Sequence, residues 1–129
     1  MTVQTSKRIL VIDDEELLTR TFSKLLEKQG YQVYTAKNGS DAEVMVEEED
    51  FDLVICDIRM PGKNGVETVK SIQNVRESSS KEEIPIIFIT GFADEKIEEE
   101  ARKLNPIAYL MKPFDVQELL GIVQKKISK

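Results

Sequence analysis

The chain has 129 residues, with 18 Lys and Arg set against 24 Asp and Glu, no His, no Trp and a single Cys. That length suits one compact domain whose core needs neither a disulfide nor a structural metal. One Cys excludes an internal disulfide framework, a net charge of −6 argues against non-specific nucleic-acid binding, and the lack of His removes a Ser–His–Asp triad, a His-ligated zinc and a histidine phosphodonor.

Residues 1–6 carry no apolar pattern and are read as a disordered N-terminal extension. Arg8-Ile-Leu-Val-Ile12 follows as an unbroken apolar run, the pattern of a strand buried on both faces of a parallel sheet. Leu17, Leu18, Phe22, Leu25 and Leu26 then recur at helical spacing, and Gly30 stands where a helix C-cap is wanted. Tyr31–Thr35 alternates apolar and polar residues, as a half-exposed edge strand does. Ala42, Met45 and Val46 give a second helix behind Ser40-x-x-Glu43, a capping-box pattern. Phe51–Cys56 is a further doubly buried strand, and Val66, Val69, Ile72 and Val75 mark a third helix capped by Asn64. Arg76–Glu83, with three consecutive serines and mixed charges, reads as a mobile loop before the strand Ile86–Ile89. Ile97, Ala101 and Leu104 give the least apolar helix, and Ile107–Met111 a fifth strand. Val116, Leu119, Leu120, Val123 and Ile127 complete the series behind Asp115-x-x-Glu118.

The count is (βα)₅, an α/β doubly wound fold with a parallel sheet, right-handed crossovers and helices on both faces. No composition break, repeat or linker divides residues 1–129, which are read as a single domain. The longest apolar runs fall far short of the roughly 18 residues a membrane helix needs. Met1–Lys7 has no apolar signal core, so the cytoplasm is the expected location, with no membrane partner.

In an open parallel sheet, ligands bind beyond the carboxyl ends of the strands. The first strand ends in Asp13-Asp14, the third in Asp57, the fourth in Thr90-Gly91 and the fifth in Lys112-Pro113. Three carboxylates meeting there repel one another, and Mg²⁺ relieves that repulsion through hard oxygen ligands. Carboxylates, Mg²⁺, a Lys, a hydroxyl and free backbone amides can hold a phosphoryl group and spread its charge during transfer. One carboxylate can then serve as nucleophile, forming an acyl phosphate.

Val-Ile-Asp13-Asp14-Glu15, Cys-Asp57-Ile-Arg-Met-Pro-Gly62, Ile-Thr90-Gly and Tyr109-Leu-Met-Lys112-Pro113-Phe114 together resemble the receiver domain of two-component response regulators, chemotaxis-regulator-like, from about Lys7 to the end. The resemblance implies a flavodoxin-like sheet of strand order 2-1-3-4-5. It implies Mg²⁺ as cofactor and Asp57 as phosphoacceptor, attacking a phosphohistidine on a sensor histidine kinase or phosphotransfer protein. Asp14 matches the direct metal ligand and Asp13 the carboxylate that holds the metal through water. Arg59 matches the position that gives a backbone carbonyl to the metal, and the backbone at Arg59 and Gly91 matches the phosphate-binding loops. Lys112 matches the lysine that pairs with the phosphoryl oxygens, Thr90 the switch hydroxyl, and Tyr109 the aromatic that moves with it. Lys112-Pro113 matches a cis bond, and Gly62 a turn position free to take a positive φ. The family is a phosphoacceptor rather than an enzyme, acting on no molecule but itself and signalling to a downstream protein through its fourth helix, fifth strand and fifth helix.

Plainer readings compete at each position. Asp13 and Asp14 alone suit helix-capping acids, Asp57 a turn residue, Thr90 a strand end, and Tyr109 packing. Cys56 reads as core, and Glu47–Asp50 and Glu98–Glu100 as solvated helix faces. Gly91, where the family often has Ala or Ser, is expected to loosen the fourth loop. Two other functions are weighed. One is a constitutive interaction module indifferent to phosphorylation, disfavoured because every chemical position is filled. The other is a metal-dependent phosphohydrolase, disfavoured because no Asp-x-Asp pair follows the first strand.

Overall fold

The computed structural model describes residues 6–128, so all of the expected N-terminal extension except Ser6 lies outside the described residues. Five strands, β1 Arg8–Ile12, β2 Gln32–Ala36, β3 Leu53–Asp57, β4 Ile86–Thr90 and β5 Ala108–Met111, alternate with five helices. The helices are α1 Glu16–Lys28, α2 Gly39–Glu48, α3 Gly65–Ser78, α4 Glu95–Arg102 and α5 Val116–Lys126. The strands pair in parallel in the order β2-β1-β3-β4-β5, as the sequence implied.

Strand periodicity divides the apolar runs between two cores. Leu10, Ile12, Val54, Cys56, Ile86 and Phe88 face α2, α3 and α4, meeting Ala42, Val46, Val66, Val69, Ile72 and Ala101. Ile9, Val11, Leu53, Ile55, Ile87 and Ile89 face the other way, onto Phe22 and Leu26 of α1 and Leu119, Leu120 and Val123 of α5. The three inner strands are therefore apolar at consecutive positions. The edge strand β2 is less covered and does not alternate strictly as the sequence suggested: Gln32 and Thr35 are exposed, Val33 and Tyr34 half-buried on opposite faces, and Ala36 buried. Chain direction across the sheet reverses between β1 and β3, which places the switch-point crevice above their carboxyl ends.

Local chemistry departs from the sequence reading at several ends. Gly30 stands one residue past the α1 C-cap Gln29, at φ +97°; its N–H donates to Glu27 O and that of Tyr31 to Leu26 O. Leu17 is 76% exposed rather than part of the buried face of α1. The α2 cap is Asn38, whose side chain accepts from Asp41 N, and not Ser40; Glu43 instead pairs with Lys63 and belongs to no capping box. Asn64 caps α3 as expected, with Glu67 returning the bond. Asp115 caps α5 through Gln117 N. Leu104 and Ile127 fall just past the ends of α4 and α5.

The segment Arg76–Glu83 is tied down rather than loose. Helix α3 runs on to Ser78, Arg76 donates to Glu82 O and to the Asp50 carboxylate at 2.8 Å each, and Lys81 meets the same carboxylate at 2.9 Å. Asp50 thus lies beyond α2 as an anchor, not on a solvated helix face. Buried Gln73 holds the far end, donating to Ile84 O and accepting from Ile84 N. Two of the charges in that segment, Arg76 and Lys81, are thus used for ion pairs with Asp50.

Candidate functional site

Asp13, first residue after β1, is fixed by its N–H donating to Ala36 O at the end of β2. One of its carboxylate oxygens accepts the N–H of Glu15 at 2.9 Å, which sets the chain's turn into α1. Thr19, one turn along, donates to Glu15 O at 3.0 Å. Asp57 closes β3, with the next N–H, that of Ile58, donating to Ile89 O. Gly65 N donates to Ile58 O at the base of α3, and a Cβ on Gly65 would lie 2.3 Å from the carbonyl oxygen of Asp57. The end of β3 and the start of α3 are therefore in backbone contact.

Carboxylate oxygens of Asp13, Asp14 and Asp57 lie within 4.8 Å of one another. Asp13 and Asp57 are buried and Asp14 is exposed. At an effective dielectric of about 20, two unit charges at such a separation repel by roughly 3–4 kcal/mol. Burial, then the neighbouring Asp13 charge, pushes Asp57 up to about 6, with Lys112 pulling against them. Asp13 is also raised, chiefly by burial, against the Glu15 N–H bond and the Lys112 charge. Both directions report first the burial of a carboxylate and then its acidic neighbours, against which Lys112 pulls. A hard divalent cation such as Mg²⁺ fits this donor set, since it takes few protein carboxylates and keeps an oxygen shell.

Lys112 is the cation in the group. Its Nζ lies 3.7 Å from Asp13, 3.7 Å from Asp57 and 3.1 Å from Glu15. Burial works to lower its pKa, but the Glu15 hydrogen bond and the Asp13 and Asp57 charges outweigh it and the net direction is upward. Its backbone N–H donates to Thr90 O at 2.7 Å, and the bond to Pro113 is cis. Thr90 is buried at the end of β4, its hydroxyl shared with the backbone of Phe92, donating to the carbonyl at 3.3 Å and accepting the N–H at 3.2 Å. Gly91 is exposed, with a negative φ and room for a Cβ at ordinary contact distance from the Lys112 stem.

Arg59 and Tyr109 lie at the margins. Arg59 stacks its guanidinium 4.2 Å from the centroid of Phe92, joining the loop after β3 to the loop after β4. Tyr109 is half-buried in β5, its ring 6.4 Å from that of Phe88 and 5.2 Å from the Arg102 guanidinium of α4. Gly62 takes φ +77° in the turn after Met60-Pro61. Cys56 is fully buried, and burial together with the Asp57 charge holds its thiol protonated, which makes it a core residue.

Sequence reasoning gave no role to two residues the structure brings here. Glu15 reaches Lys112 across 97 positions, and Phe92 receives Arg59. For Glu15 the signal was present, a third acid directly after Asp13-Asp14; a stack between two loop side chains leaves none.

Comparison with known proteins gives a consistent result. A family model described as the response regulator receiver domain matches residues 9–124. Sporulation initiation phosphotransferase F of Bacillus subtilis is 30% identical over 120 residues, 93% of each chain. Transcriptional regulatory protein PdtaR of Mycobacterium tuberculosis is 31% identical over 95% of this chain, which spans only 58% of that relative's length. Among solved structures, Vibrio cholerae chemotaxis protein CheY4 superposes with a TM-score of 0.82 at 29% identity, covering 95% of this chain and 100% of that one. The non-phosphorylated HemR receiver domain of Leptospira biflexa gives 0.83 at 31% identity, covering 96% of both.

Proposed function

The chain belongs to the response regulator receiver domain family, and from that membership we propose that it is one receiver unit which accepts a phosphoryl group on Asp57. The observation that carries this reading is Lys112, a single ammonium 3.7 Å from each of two buried carboxylates that end different strands. Such a group suits developing negative charge on a transferring phosphoryl oxygen. A carboxylate pushed up to about 6 is still mostly ionised at neutral pH, and so able to attack.

In the proposed reaction an Asp57 oxygen attacks phosphorus of a phosphohistidine on a sensor kinase or phosphotransfer protein. The P–N bond breaks, its electron pair goes to the imidazole, and the donor histidine takes up a proton. Asp13, Asp14, Asp57 and the Arg59 backbone carbonyl are the groups we assign to Mg²⁺, which when bound neutralises carboxylate and phosphoryl charge together. The backbone at Arg59 and Gly91, with Lys112, cradles the phosphoryl oxygens. Thr90 then exchanges its bonds to Phe92 for the phosphoryl group, and Tyr109 shifts with it. The α4–β5–α5 face carries the change to a downstream protein. Likeness to a phosphotransferase over 93% of its length supports phosphoryl transfer as the chemistry. The acidic balance favours protein over nucleic-acid partners, without a membrane, and the cytoplasm as the setting. The only reactions catalysed are the chain's own phosphorylation and dephosphorylation.

Intact mass after incubation with a small-molecule phosphodonor tests the acceptor. One phosphoryl group, gained with Mg²⁺ and absent in Asp57→Ala, is expected. No gain in the wild type under any condition would leave a constitutive binding module as the better reading.

A further inference from the structure

Glu15 is placed to act on the same site without belonging to the carboxylate triad. Its N–H is held by the Asp13 carboxylate, and its own carboxylate accepts the Lys112 ammonium at 3.1 Å, closer than Asp13 or Asp57. Its side chain is 62% exposed and makes no capping bond to α1. The contact therefore has no need to exist for the helix, and its carboxylate is free to be released into water. A phosphoryl group on Asp57 offers Lys112 a doubly charged partner. The ammonium then has to leave or share Glu15, and it can make only three donor bonds.

We propose that Glu15 competes with the phosphoryl group for Lys112, and so sets how tightly the Asp57 site holds a phosphoryl-like anion. The inference rests on the reading of Asp57 as acceptor. Glu15 is a positioning residue, since it acts only through Lys112. A purely structural contribution would act in the opposite direction, because loss of an anchor for Lys112 would weaken anion binding.

Beryllium trifluoride, a tetrahedral stand-in for the phosphoryl group, is titrated with saturating Mg²⁺ into wild type, Glu15→Gln and Glu16→Gln. Glu16 is the control for long-range charge: it is an adjacent exposed acid that pairs with Arg20 and not Lys112. Glu15→Gln is expected to lower the Kd about two- to five-fold, the range an exposed ion pair spans. Glu16→Gln is expected to shift it by less than about half as much, being screened. An unchanged or raised Kd in Glu15→Gln, or equal shifts in both variants, overturns the competition. Failure of the wild type to bind the anion would instead overturn the Asp57 reading, and this inference with it.

Discussion

Asp57 sits where its own charge is disfavoured, and the direction of that effect can be followed into stability. Its folded pKa of about 6 lies above the roughly 3.9 of an unfolded Asp, so the folded state holds the proton more tightly between those values. Stability contributed by this carboxyl is greatest at low pH and is lost as pH rises through about 4 to 6. Without divalent cations, Asp57→Asn should therefore raise stability at pH 7 by about 1–2 kcal/mol, and the gain should shrink toward zero near pH 4. Urea denaturation at the two pH values measures it; equal effects at both would remove burial of charge as the cause. Two glycines beside the site make a contrasting pair. Gly91→Ala should change stability by less than about 0.5 kcal/mol and keep phosphorylation, since its Cβ finds ordinary contacts at 3.6 Å or more. Gly65→Ala drives a methyl onto the Asp57 backbone and should cost about 1–3 kcal/mol. The expectation that Gly91 loosens its loop gains nothing from a residue with negative φ.

Among the elements, the inner strands were the most readable part of the sequence. Ile9–Ile12, Leu53–Cys56 and Ile86–Ile89 are covered on both faces, so their apolar runs are unbroken, and the strand ends follow directly from where polar residues begin. Asp13, Asp57, Thr90 and Lys112 could be placed at one edge for that reason. Side chains that span loops were not readable. Nothing local distinguishes the Asp50 that clasps Arg76 and Lys81 from a solvated acid, or Asn38 from Ser40 as the cap of α2. Both choices depend on the path of chain that folds back from elsewhere. Gln73 shows how firmly that path is held, with both ends of one buried amide on the Ile84 backbone. Gln73→Ala leaves an N–H and a C=O without those partners and should destabilise by about 2–3 kcal/mol. Thermal unfolding measures this, and a loss below about 0.5 kcal/mol would mean that Ile84 finds other partners.

For the molecule as a whole, the concentration of acid at one edge makes a bound cation a stabiliser of the fold. A ligand that binds only the folded state at ten times its Kd adds about 1.4 kcal/mol, or about 4–6 °C in Tm for a chain of this size. Mg²⁺ should give that rise in the wild type. Asp14→Asn should abolish most of it without altering the cation-free Tm by more than a degree or two, since Asp14 is exposed. Calorimetric scans with and without Mg²⁺ decide this, and an undiminished rise in the variant would assign the ion elsewhere. Glu15, Thr90 and Lys112 were each visible as residue types in the sequence; their 97-position and 22-position partnerships appear only once five strands lie side by side.

Sheet order also imposes a sequence of events in time. β5 pairs with β4 alone and brings Lys112 with it. On a ribosome the acids of β1 and β3 emerge and can associate well before the last strand arrives. The nascent sheet thus carries an anionic edge without its lysine until its final strand docks, and a divalent cation is the counterion suited to it during that interval. A cation held at this edge would thus ease assembly as well as stabilise the finished fold.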